Sequence, residues 1–341
     1  LWLTQDGVTN GVIYALLALA LLLVFAVTRV IFVPQGEFIT FAALSLALLE
    51  TGRTPGTLYI LVFGGLAAAA IEAFVALRER AWRRLPRIAA LYVALPVAVA
   101  ALVAWAAPHK FGQWVQVLLV LAMVVPLGPI IYRIAYQPLA NASVLVLFIV
   151  SMAVHYVLTG LSLVFFGGEG LRSRPFSEAK FKLGVVDISA QSLLVVGASV
   201  VLILALWLLF ERTIYGKALR ATAMNRVGAR LVGIPTVLTG HLSFLLASFI
   251  GAVSGILIAP ITTLYYDTGF LIGLKGFVGA ILGGMGSYPL AALGSVAVGL
   301  LESFSSFWAS AFKEVIVFTM IIPVLAWLSL RSRHVEEEEE E

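Results

Sequence analysis

Residues 215–236, YGKALRATAMNRVGARLVGIPT, interrupt a chain that is otherwise mostly apolar. Lys217, Arg220, Arg226 and Arg230 stand here among small side chains, with a long apolar run on either side. A short basic segment between two runs long enough to cross a bilayer reads as a loop on one membrane face. It therefore sets the class of the chain and the orientation of the segments around it.

The composition agrees. Of 341 residues, 61% are hydrophobic and 12% are charged, with a mean hydropathy of +1.05. Soluble domains carry about 25% charged residues, so this is an all-α polytopic membrane protein, and one bundle absorbs the whole length. The absence of cysteine removes disulfides, thiolate metal sites and cysteine nucleophiles together. No GxxxxGK[ST] phrase is present, and Gly216-Lys217-Ala218 lacks the context of one, so no P-loop binds ATP. The four histidines are scattered and no span carries paired carboxylates, so no catalytic constellation is visible and an enzyme is not expected. The formal net charge of +4 gives no reason to expect nucleic acid. The run 336–341 is all glutamate and reads as a solvated acidic tail.

Eleven spans are expected, at about 8–30, 36–50, 57–77, 88–107, 114–131, 143–166, 188–210, 239–260, 271–285, 289–309 and 312–330. The second and ninth are short and interrupted by glycine. Proline at 96, 126, 129, 260 and 323 predicts kinks that neighbouring helices must satisfy. With the 211–238 loop in the cytoplasm, the inner side collects Arg29, Arg78, Arg80, Arg83, Arg84, Arg87, Arg133, Arg212, Lys217, Arg220, Arg226, Arg230, Arg331 and Arg333. These are 14 of the 22 basic residues. The outer side collects seven, and Lys275 falls inside a span. The excess puts the N-terminus outside and the C-terminus in the cytoplasm. A long outer loop, 167–190, carries charge of both signs.

Projected as one helix from 217 to 233, the basic loop shows two sides. Leu219, Ala223, Val227 and Leu231 share one; Ala218, Ala221, Thr222, Asn225 and Ala229 form a stripe of small residues on the other. Arg220, Arg226 and Arg230 border them, and Gly233 with Pro235 ends the helix. A connector packed on its own bundle and a docking helix for a cytoplasmic partner both fit this pattern.

The stretch GKALRATAMNRVGARLVGI resembles the cytoplasmic coupling-helix region of permeases of the branched-chain amino-acid ABC transporter family. The resemblance covers much of the chain. NGVIYALLALALLLVFAVTRVIFVPQGEF is similar to the family's opening span and its His-Gly-Glu turn, which here reads Gln35-Gly36-Glu37. IAYQPLANASVLVLFIVSMAV is similar to its Tyr-Arg-Pro-Leu segment, and GFLIGLKGFVGAILGGMGSYPLAALGSVAVGLLE, 269–302, is the most specific match. Residues 79–130 look like an extra membrane hairpin. The resemblance implies the transmembrane domain, 1–335, of a type II-like ABC importer, a bundle with short broken helices in a bacterial or archaeal plasma membrane. It implies four kinds of surroundings: a second permease subunit, two cytoplasmic ATPases, an external solute-binding protein and the lipid bilayer. The chain itself would bind no cofactor, ATP and Mg belonging to the ATPases. Ala218, Ala221, Thr222, Asn225, Arg226, Ala229 and Gly233 would contact an ATPase, and the solute would be a branched-chain or other amino acid, or a related carboxylate or amide.

Few charges lie within spans, where each costs about 2.5–3.5 kcal/mol on insertion scales. Lys275 either faces the translocation path or forms an ion pair with Glu302, Asp267 or Glu314. Glu72 pairs inside the bundle or contacts a second subunit. Gln35-Gly36-Glu37 and the turn Gly283, Gly284, Gly286 and Ser287 interrupt apolar segments, one in each half, and are expected at the cytoplasmic side as path or gate. Plain helix termination explains them equally. Tyr265, Tyr266, Asp267 and Thr268 are expected as an outer entrance or binding-protein contact. An alternative is an autonomous secondary transporter or channel that uses Lys275, Glu302 and Glu72 as a relay.

Overall fold

The computed structural model describes residues 2–183, 186–284, 287–326 and 330. The helices are α1 (Trp2–Thr28), α2 (Glu37–Glu50) and α3 (Thr57–Arg78), followed by α4 (Trp82–His109), α5 (Gln113–Leu139) and α6 (Val144–Phe166). After these come α7 (Ala190–Arg212), α8 (Ile214–Met224), α9 (Arg226–Leu231), α10 (Thr236–Ile258), α11 (Thr268–Leu282), α12 (Tyr288–Trp308) and α13 (Lys313–Thr319). A two-stranded antiparallel hairpin, β1 (Lys180–Leu183) and β2 (Val186–Ser189), lies in the long loop before α7.

Eight of these helices are long and apolar enough to cross a membrane. Eleven spans were expected. The runs at 36–50 and 271–285 contain short helices, α2 of 14 residues and α11 of 15, and 312–330 is described only in part. At about 1.5 Å per residue, α2 and α11 are each about 20 Å long, against a hydrocarbon core of about 30 Å. Apolarity alone counted them as spans; their length makes them partial ones. The tail at 336–341, with Arg331 and Arg333, lies outside the described residues.

The chain divides into two compact units. The first comprises Leu1–Leu22, Ser177–Leu204 and Leu271–Glu341. In it α1 packs on α12 through Gly11 and Gly299: a Cβ on Gly11 would stand 2.7 Å from the Val296 Cα, and one on Gly299 2.4 Å from the Gly7 carbonyl oxygen. Small residues four apart on α1, Gly7 and Gly11, are the pattern that lets membrane helices approach backbone to backbone. Ala18, Leu22, Ala280 and Ala291 close the core of this unit.

The second unit comprises Leu23–Phe176 and Ala205–Phe270. Its centre is α2, buried on nearly every side and packed along α10 and α5. A helix apolar all round has no solvent face to present and goes to the middle. Phe32, Tyr132, Tyr136 and Phe244 form an aromatic cluster beside it, with the Phe32 and Phe244 ring centres 4.8 Å apart. On the periphery, α3 and α6 present apolar side chains outward, such as Phe63, Leu145 and Val164.

Two of the five prolines stand next to breaks in regular α-helix. A π-helical turn, Ala90–Ala94, precedes Pro96 in α4, and another, Tyr132–Tyr136, follows Pro129 in α5. Pro129 cannot donate to the carbonyl four residues back. That carbonyl, on Val125, accepts instead from the Ser248 hydroxyl of α10 at 2.7 Å. A neighbouring helix thus satisfies the group the proline frees.

Candidate functional site

The 3-10 turn Val33–Gly36 leads directly into α2, with Pro34 at its start. Gln35 donates through Nε2 to the Ala247 carbonyl at 2.9 Å. Ala247 is halfway along α10. Glu37, the first residue of α2, therefore lies level with the middle of α10, a helix long enough to cross a membrane. The Gln35-Gly36-Glu37 turn, expected at the cytoplasmic end, packs against the middle of α10.

The first turn of α11 meets α2 at this level. A Cβ on Gly36 would stand 1.9 Å from the Gly269 carbonyl oxygen, and the Gly269 N–H donates to Thr40 Oγ1 at 3.0 Å. Residues 265–268, expected on the outer side, are thus joined to the Gln35-Gly36-Glu37 turn by a backbone contact one residue further on. After α10 the chain folds back before α11 begins. Tyr265 and Asp267 are exposed, while Gly269 is buried. The Tyr265 N–H donates to Thr268 Oγ1, and the strand-like contact of Leu171 with Leu264 pins the preceding loop.

Glu37 and Gln35 are each 0% exposed. Glu37 Oε1 lies 2.9 Å from His155 Nδ1 and accepts from Thr159 Oγ1 at 3.3 Å, both on α6. The Phe270 ring stacks on the His155 imidazole at 4.3 Å between centres. Glu37 Oε2 and Gln35 Oε1 have no partner. His155 was passed over as one of four scattered histidines. It is one of a set of buried polar residues with Ser151 and Ser162, spaced four and seven apart, and that helical spacing was the available signal.

In the first unit, Lys275 Nζ donates to Glu302 Oε1 at 2.6 Å and to Glu314 Oε1 at 3.0 Å, and Tyr14 donates to Glu302 Oε2 at 2.5 Å. Of the expected ion-pair partners, Glu302 and Glu314 are the ones reached. Glu72 pairs with Arg133 Nε at 2.5 Å in the second unit. Arg133, expected as a cytoplasmic charge, is buried within α5. Gly283 packs on Ala291, where a Cβ would come within 2.3 Å of the backbone nitrogen, and Ser287 precedes α12 without capping it. Gly286 lies outside the described residues. Among the described residues, no group of three or more His, Asp or Glu is placed to hold a metal ion.

The basic loop is not one helix. Asn225 has extended backbone, φ −150° and ψ 102°, and its side chain accepts from the Gly228 N–H at 2.8 Å, capping α9. Asparagine offers the chain an alternative to continuing a helix, which the single projection ignored. The break turns the small stripe inward: Thr222 and Ala229 are 2% and 3% exposed, with Ala218 and Ala221 half-buried. Leu219 packs with Leu23 and Val27. The outward face is instead Ile214, Tyr215, Met224, Val227, Leu231 and Val232, all strongly exposed. The arginines tie the loop down: Arg226 donates to the Ala140 carbonyl at 2.9 Å, Arg230 to Thr236 at 2.9 Å, and Arg220 pairs with Glu211 at 2.9 Å. Asn225 and Gly233 are exposed.

The sequence pattern of the family described as "Branched-chain amino acid transport system / permease component" matches residues 91–325. The chain is 28% identical over 206 residues to the high-affinity branched-chain amino acid transport system permease protein LivH of Escherichia coli, covering 57% of this chain and 66% of that one. It is 28% identical over 205 residues to BraD of Pseudomonas aeruginosa, covering 58% and 67%. It is 33% identical over 197 residues to the probable permease protein LivH of Methanocaldococcus jannaschii, covering 54% and 60%. The matched part thus spans just under two thirds of the Escherichia coli relative's length. No solved structure matches the chain. With eight helices fit to cross a membrane among the described residues and a family match over most of its length, the chain belongs to the permease components of branched-chain amino acid transport systems.

Proposed function

We propose that this chain forms the translocation path of an ATP-driven importer for a small amino acid or a related carboxylate or amide. It works with a second permease subunit, which is a similar chain or another copy, with two cytoplasmic ATPases that carry ATP and Mg, and with an external binding protein. Residues 211–238 face the cytoplasm, the N-terminus lies outside, and residues 79–130 form an accessory hairpin. The observation that carries this reading is the outward face of α8 and α9. Six apolar side chains from Ile214 to Val232 stand exposed on a loop whose arginines are committed to holding it in shape. A rigid apolar knob beside a membrane bundle suits a protein cleft. Clean separation of basic and apolar faces, which suits a lipid surface, is lacking.

The docking residues are therefore Met224, Val227, Leu231 and Val232, and the small stripe supports them from beneath. Co-purification of the chain with its ATPase tests the reading. A chain that reaches the membrane folded yet retains no ATPase, and takes up solute without ATP, would favour a secondary transporter.

A further inference from the structure

Glu37 is a carboxylate with no exposure, and one of its oxygens is left over. Oε1 is served by His155 and Thr159; Oε2 meets no donor. Two residues back, Gln35 Oε1 is also buried and unpartnered. Both spare atoms are acceptors. A buried acceptor without a donor is costly, more so when charged, so it persists where a function needs it. The missing complement is an N–H or O–H donor, and for the carboxylate a cationic one. An anion finds little here: the backbone N–H groups at the start of α11 are occupied, Thr268 by the Tyr265 carbonyl, Gly269 by Thr40 and Phe270 by the Asp267 carbonyl.

The surroundings fit a cation that arrives from outside the bundle and passes through. Asp267 is exposed, and Glu37 is buried. Between them lies the Gly36–Gly269 contact, where two partial helices meet at the level of mid-α10. Sites at the meeting of broken helices near the bilayer middle are where transporters hold solute.

We propose that Glu37 Oε2 is the acceptor for a protonated amine on the transported solute, with His155 and Thr159 as positioning residues that fix the carboxylate through its other oxygen. This rests on the permease reading above and narrows its solute class. An amine-bearing zwitterion is read at this point, whereas a carboxylic acid without the amine is not.

The test uses vesicles carrying the assembled transporter, with leucine uptake driven through the external binding protein. Isoamylamine or isocaproate, leucine without its carboxylate or without its amine, is supplied on the ATPase side, where the binding protein does not act. The amine is expected to slow uptake and the acid is not. Glu37→Gln should weaken the amine's effect about 10-fold or more, the factor carried by one hydrogen bond to a charged group. If that variant does not assemble, Glu37→Asp, which withdraws the carboxylate by one methylene, should raise the inhibitory amine concentration by a similar factor. Gly160→Ala, on the same helix as Thr159 but with open space at its would-be Cβ, should keep the amine response. Equal inhibition by both analogues, inhibition by the acid alone, or an amine effect unchanged in the Glu37 variants overturns the proposal and leaves the permease reading standing. Absence of any uptake together with absence of a bound ATPase overturns the permease reading itself.

Discussion

Gly36 and Gly269 touch through their backbones: a Cβ on Gly36 would lie 1.9 Å from the Gly269 carbonyl oxygen, and one on Gly269 2.2 Å from that of Gly36. Neither residue needs glycine for its dihedral angles. What they supply is space, and the space lets the starts of α2 and α11 meet.

Gly36→Ala and Gly269→Ala should each destabilise the purified protein by at least about 1–3 kcal/mol, the usual cost of overfilling a packed contact. Gly160→Ala, on α6 with no atom within 4 Å of its would-be Cβ, should be neutral or slightly stabilising. Thermal unfolding in detergent compares the three. Equal shifts for all of them would show that the contact does not hold the fold.

The Arg133–Glu72 pair offers a double-mutant cycle. Removing one partner of this part-buried pair leaves the other uncompensated and should cost less than the about 3–5 kcal/mol of a fully buried one, whereas replacing both with apolar groups is often neutral. Arg133→Met alone should lower the unfolding temperature sharply, and Arg133→Met with Glu72→Met should recover most of it. Additive losses would contradict the pairing.

Lys275 is held by Glu302 and Glu314, and Tyr14 bonds the same Glu302. Lys275→Met should therefore impair assembly more than solute selectivity, by about 3–5 kcal/mol of stability. Adding Glu302→Gln should restore part of the yield in a detergent gel-filtration assay. A well-folded Lys275→Met chain that binds its ATPase but fails in uptake would instead make Lys275 a path residue.

The α8–α9 loop separates two effects. Leu231→Asp and Met224→Asp alter exposed side chains and should leave folding within about 0.5 kcal/mol while abolishing ATPase co-purification. Ala229→Trp fills a buried position and should destabilise the chain before any docking is measured. ATPase retention in both Asp variants would place the docking surface elsewhere.

Hydropathy is a local property, and it was enough to read a helical membrane bundle, its eight long runs and the basic loop between α7 and α10. The motif order in 10–38, 134–154 and 269–302 was likewise enough for the family. What lay beyond reach was depth, face and partner. Apolarity marked 36–50 and 271–285 as spans, yet it carries no information on where a helix starts, and the Gln35–Ala247 and Gly36–Gly269 contacts are between residues some 210 and 230 positions apart. A projection at fixed angle sent the small stripe outward, because nothing in the helical period says that Asn225 turns its side chain to the Gly228 N–H and restarts the helix. Glu37 was legible as part of a turn that interrupts an apolar run; that His155, 118 residues away, satisfies one of its oxygens and leaves the other open was decided by the packing of α2 against α6 alone.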